Sequence, residues 1–134
     1  MRNQMNFALA VHGAPYSSQA SSSALRFARA ATAAGHQIER VFFYHDGVAV
    51  ANESIVAPQD ELDLPSEWTV LARDHKFELA VCIAASLKRG VVNESEQQRY
   101  ETPSATLKPG FEVVGLGQLV DAVINADRLI TFAA

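Results

Sequence analysis

One thiol and four imidazoles are the side chains of this sequence best suited to chemistry near neutral pH. Cys82 is the only cysteine. It stands where a short apolar run, Leu79 to Ile83, hands over to a helix-prone piece, Ala84 to Arg89, that Gly90 stops. A thiol at a helix N-terminus feels the positive end of the backbone dipole, which favours the thiolate, the form in which sulfur acts as a nucleophile. Free cysteine is also among the most buried residue types, and apolar neighbours leave it inert. Local sequence leaves both readings open.

His12 and His45 follow predicted strands and suit the roles of proton acceptor or donor, or of solvated turn residues. His36 and His75 lie in or beside predicted helices and read as structural. Lys88 and Arg89 can support a sulfur anion, attract an acidic partner, or form a solvated face. Ser17 to Ser23 forms a polar stretch that suits either an anion cradle or helix capping. It lacks the glycine spacing of nucleotide-binding loops. No His, Asp or Glu cluster has metal-ligand spacing, and no organic cofactor is called for.

These residues must be held by alternating strands and helices. The strands are predicted at Asn6 to Val11, Ile38 to Tyr44, Leu79 to Ile83, Phe111 to Val114 and Arg128 to Phe132. The helices are predicted at Ala24 to Ala34, at Leu64 to Lys76 with Leu64, Trp68, Leu71, Ala72 and His75 on one buried face, and after Gly117. In the last of these Leu116, Leu119, Val120, Val123 and Ile124 keep helical spacing. A short helix within Asn93 to Glu101 and a surface loop at Ala57 to Asp63 complete the reading. Alternation of this kind implies a mostly parallel sheet of about five strands, covered on both faces, with the Cys82 strand near its middle. The loops after the strands then share one rim, bringing together His12, Tyr16, the serines, His45, Asp46 and Cys82.

With 134 residues the chain is long enough for one domain, read as 5–134 after an extension at 1–4; Met5 offers a second possible start. A net charge of −4 with no basic block argues against direct binding to nucleic acid or an anionic membrane. A single cysteine excludes an internal disulfide, a CxxC pair and a cysteine-rich zinc site, and suits a reducing cytoplasm.

The stretch Leu79-Ala80-Val81-Cys82-Ile83-Ala84-Ala85-Ser86-Leu87-Lys88-Arg89-Gly90-Val91-Val92 resembles the active-site segment of the DsrE/TusD family of sulfur-relay proteins. Phe7 to Val11, Val41 to Val48 and Gly115 to Leu119 resemble that family in the same order. The resemblance covers the chain after Gln4 and lies nearest the TusD branch. It implies a three-layer α/β/α, flavodoxin-like fold and a cysteine, here Cys82, that carries sulfur as a persulfide. It also implies a heterohexamer with TusB- and TusC-like chains, a TusA-like donor and a TusE-like acceptor, in the relay that 2-thiolates the wobble uridine of tRNA. Related DsrE proteins act in sulfur oxidation with DsrF, DsrH and DsrC. Two other readings stand beside the sulfurtransferase: a flavin or nucleotide binder using the serine loop and Tyr44, and a non-catalytic structural subunit with Cys82 buried.

Overall fold

The apolar runs become five strands: β1 (Asn6–Val11), β2 (Gln37–Phe43), β3 (Glu78–Cys82), β4 (Phe111–Val114) and β5 (Arg128–Phe132). The helices are α1 (Ala20–Ala33), α2 (Leu64–His75), α3 (Ile83–Lys88), α4 (Glu94–Tyr100) and α5 (Gly117–Asn125), with a 3₁₀ segment at His45–Ala51. The computed structural model describes residues 3–134, so Met1 and Arg2 of the extension read at 1–4 lie outside the described residues. The five named strands all pair in parallel, in the order β4-β3-β2-β1-β5.

That order explains the layers. From β1 to β4 the chain steps across the sheet in one direction, and from β4 it returns to place β5 beside β1. Right-handed crossovers in opposite directions put their helices on opposite faces. Alternation along the strands sorts the side chains accordingly. Leu9, Val11, Val41, Phe43, Leu79 and Val81 share the face under α1 and α2, where all six are fully buried or nearly so. There Trp68 meets Phe43 edge-on with ring centroids 5.4 Å apart, and its indole N–H donates to Ser21 Oγ at 3.1 Å. An Arg29–Glu67 ion pair also ties α1 to α2. Ala8, Ala10, Arg40, Phe42, Glu78, Ala80 and Cys82 lie on the other face, which α5 crosses. The α1/α2 side, with the larger side chains, is the main core.

The structure corrects two expectations. Helix α1 starts at Ala20, not Ala24, so Ser21 to Ser23 are helical. Ser21 is fully buried against Trp68, a contact that a polar-loop reading of the serines could not anticipate. His75 is exposed rather than part of the buried face of α2, because Lys76 turns into the left-handed region (φ 58°) and ends the helix there. The Cys82 strand lies near the middle of the sheet, as expected, between β4 and the central β2. In α5 Leu119 and Ala122 pack inward, while Leu116, Val120, Val123 and Ile124 are exposed, Ile124 by 75%. Arg40 sets that rotation. Its guanidinium donates to the Gln118 carbonyl at 3.0 Å and pairs with Asp121 at 3.4 Å and Glu78 at 3.3 Å. Burial opposes the charge on Arg40, but the two carboxylates outweigh it and hold the group above its ordinary value.

Candidate active site

The carboxyl ends of the strands bring the sequence-predicted groups onto one rim, but not all into contact. Val81 is level with Phe43, and Phe43 with Val11. One residue further along are Cys82, Tyr44 and His12. The ladder still runs there, with Tyr44 N–H donating to Val11 O and His12 N–H to Phe132 O, both at 2.9 Å. At a strand spacing of about 4.8 Å, Tyr44 neighbours Cys82, and the backbone of His12 is about 10 Å from it.

The rings form their own cluster. Tyr44 and His45 stack at 4.1 Å, His12 meets Tyr44 edge-on at 5.9 Å, and the two imidazoles are 5.0 Å apart. The turn that builds it is tight. His45 sits at φ 50°, and a Cβ at Gly47 would collide with the Val11 carbonyl oxygen. Only glycine lets the 3₁₀ segment lie this close to the end of β1. Burial, and then the proximity of His45, lowers the pKa of His12 from its ordinary 6.5. His12 is therefore a neutral imidazole at neutral pH, able to accept a proton.

As pH falls below 6.5 the unfolded chain takes up a proton that folded His12 resists, so the folded state loses stability as pH drops. Above 6.5 the contribution is fully present. Urea unfolding at pH 7.5 and 5.5 should show a smaller acid-side loss in His12→Asn than in the parent; equal losses would refute the assignment.

Cys82 is the last residue of β3 and the N-cap of α3, and is only 2% exposed. Among the described residues it is a free cysteine. Of the two basic residues predicted beside it, Lys88 is exposed and makes no ion pair among the described residues. Arg89 is committed elsewhere. It donates to Asp46 Oδ1 at 2.9 Å and to the Ala85 carbonyl at 3.0 Å, tying the end of α3 to the 3₁₀ segment. Tyr16 is also structural: its hydroxyl donates to Leu62 O at 2.8 Å and accepts from Leu64 N–H at 3.1 Å. His36 behaves as predicted, accepting from the Met5 N–H at 3.0 Å.

Sequence reasoning passed over Ser86, which follows Cys82 by one helical turn and is fully buried with no hydrogen-bond partner for its hydroxyl. The i, i+4 spacing was the available signal. A mostly apolar groove of about 640 Å³ runs past the far end of α3, lined by Leu87, Val92, Tyr100 and Pro103 among others, but not by Cys82. Among the described residues no three His, Cys, Asp or Glu side chains group as metal ligands, and no helix is long and apolar enough to cross a membrane.

Comparison with known proteins places this arrangement. The model of the DsrE/DsrF-like family matches residues 5–132. The sulfurtransferase TusD homolog of Pseudomonas aeruginosa is 48% identical over 128 residues, covering 96% of this chain and 97% of that protein. Sulfurtransferase TusD of Serratia proteamaculans is 45% identical, covering 96% and 99%. A protein named DsrE from Allochromatium vinosum is also 45% identical, covering 96% and 98%. The crystal structure of the ychN protein from E. coli superposes with a TM-score of 0.77 over 96% of this chain and 100% of that one, at 20% identity, a likeness of fold. By its sequence over nearly its whole length, this chain belongs to the DsrE/DsrF-like family, among relatives named sulfurtransferases.

Proposed function

We propose that the chain is the sulfur-carrying subunit of a protein relay, with Cys82 as the carrier. The observation that supports this most is the position of the only thiol, at the strand-to-helix junction on the sheet's carboxyl rim, in a chain whose relatives are named sulfurtransferases. In the first step the Cys82 thiolate attacks the outer sulfur of a donor persulfide, R–S–SH. A Cys82 S–S bond forms, the donor S–S bond breaks, the proton stays on the outer sulfur, and the donor leaves as R–S⁻. In the second step an acceptor thiolate attacks that outer sulfur and Cys82 leaves as thiolate. Neither step changes the net oxidation state, and neither requires a metal or organic cofactor.

A carrier with one cysteine cannot release its sulfur by forming an internal disulfide, so the acceptor must be another protein's thiol. The donor is TusA-like and the acceptor TusE-like, in a cytoplasmic relay towards 2-thiouridine in tRNA. The 45% identity to DsrE of A. vinosum favours a second reading, the same chemistry in sulfur oxidation with a DsrC-like acceptor. Because Cys82 is buried, the donor reaches it only when the rim around it opens. Mass spectrometry of Cys82 after incubation with a persulfidated TusA-like protein should show the gain of one sulfur atom. No gain, in the isolated chain and in the assembled complex alike, would sink the proposal.

The exposed stripe of α5 supports assembly with TusB- and TusC-like chains, since exposed apolar patches of this kind mark interfaces. Val120→Glu with Ile124→Glu should leave the isolated chain's stability within about 0.5 kcal/mol, as surface changes do. Sedimentation of the co-expressed subunits should then show the double variant excluded from the complex. A complex of unchanged size would place the interface elsewhere.

A further inference from the structure

The two imidazoles on the rim have no part in the sulfur-transfer steps written above, yet the fold holds them rigidly side by side. The backbone of His12 is fixed from both sides, its N–H donating to Phe132 O at 2.9 Å and its carbonyl accepting from Gly47 N–H at 3.1 Å. The second of these bonds ties it directly to the turn that carries His45. His45 sits at φ 50°, an uncommon conformation for a residue with a side chain, and one that persists where the surrounding structure enforces it. Its ring stacks on Tyr44 at 4.1 Å, which covers a ring face and leaves the nitrogens on the ring edge open. Of the four histidine side chains, that of His36 alone is hydrogen-bonded among the described residues. The ring nitrogens of His12 and His45 are therefore uncommitted, and their separation is built into the backbone.

We propose that His12 and His45 form a two-imidazole site for a divalent metal ion of the zinc and copper class. Two imidazoles bound to one tetrahedral ion at about 2.0–2.1 Å put their ring centroids about 5 Å apart. The centroids here are 5.0 Å apart, with the rings nearly perpendicular at 81°. Imidazole nitrogen suits zinc, copper and nickel, whereas magnesium and calcium take oxygen ligands. No third side chain of the described residues joins the pair. Asp46, next in the chain, is held by Arg89 at 2.9 Å, and Cys82 is buried at the end of a strand two places from β1. His45 is exposed, so water completes the coordination shell on the solvent side. The site stands apart from the sulfur chemistry, since it needs neither Cys82 nor a persulfide.

Calorimetric titration with zinc tests this, on the Cys82→Ser chain so that the thiol contributes nothing. One ion should bind per chain, and a large excess of magnesium should not displace it. Adding His12→Asn or His45→Asn should weaken zinc binding about tenfold or more in each case, since each removes one of the two ligands. Asparagine is the replacement because it tolerates the left-handed backbone at residue 45. A second readout needs no histidine variant. Zinc should shift the ring C–H proton resonances of His12 and His45 and leave those of His36 and His75 in place. A cluster held together by ring stacking alone predicts no such selective shifts, and the same weak zinc binding in all three chains. Either of those results, or a loss of binding confined to one of the two histidine variants, would overturn the proposal.

Discussion

Cys82→Ser is expected to reduce sulfur transfer to background while leaving the chain folded. A hydroxyl at neutral pH is neither a nucleophile towards a persulfide nor a leaving group for its outer sulfur, so both steps are lost together. The structural cost is small for a specific reason. Cys82 is the N-cap of α3 and makes no side-chain capping bond there. Serine is among the preferred N-cap residues, worth about 0.5–2 kcal/mol over an apolar one. A serine that makes the capping bond has a partner for its buried hydroxyl and so avoids the cost of about 1–3 kcal/mol that an unpartnered one carries. Thermal unfolding, sedimentation with the partner subunits and donor-dependent transfer should be measured on one preparation. Transfer within tenfold of the parent would make Cys82 a core residue and the proposed function wrong.

The largest loss of stability is expected from Trp68→Ala, about 3–5 kcal/mol. Trp68 is fully buried between α1 and the sheet, packed edge-on against Phe43, and it satisfies Ser21. Alanine opens a cavity on the main-core side and leaves the buried Ser21 hydroxyl without its donor. Against a total of about 5–15 kcal/mol for a domain, that is a large fraction. Ser21→Ala alone should cost far less, and the double variant less than the sum of the two, since both remove one contact. Urea unfolding of the four chains measures this. A loss below about 1 kcal/mol for Trp68→Ala would mean that the two helices are not held to the sheet as described.

What the sequence made legible follows the range of the interactions involved. The bounds of β1, β4 and β5 are readable because each is an apolar run between turn-forming residues. The place of Cys82 between strand and helix is readable for the same reason. The start of α1 is not, because Ser21 is helical and buried through Trp68, 47 residues away. The outward turn of the apolar stripe on α5 is set by Arg40, on a strand 78 residues before Gln118. The pairing of His12 with His45 depends on the β1–β2 register, which no local pattern gives. Cys82's burial likewise depends on how the loops close around it, a long-range outcome.

The place of β5 beside β1 has a consequence for synthesis on the ribosome. Phe7 to Val11 pair with Arg128 to Phe132, so one edge of β1 waits for a strand more than a hundred residues downstream. At the usual pace of translation, about 5–20 residues per second, that wait is roughly 6–23 s. During it the nascent sheet carries an apolar strand with unpaired backbone groups, a template on which a strand from another chain can add. The growing polypeptide is therefore most open to misassembly at its first strand, and that exposure ends only as β5 emerges and docks.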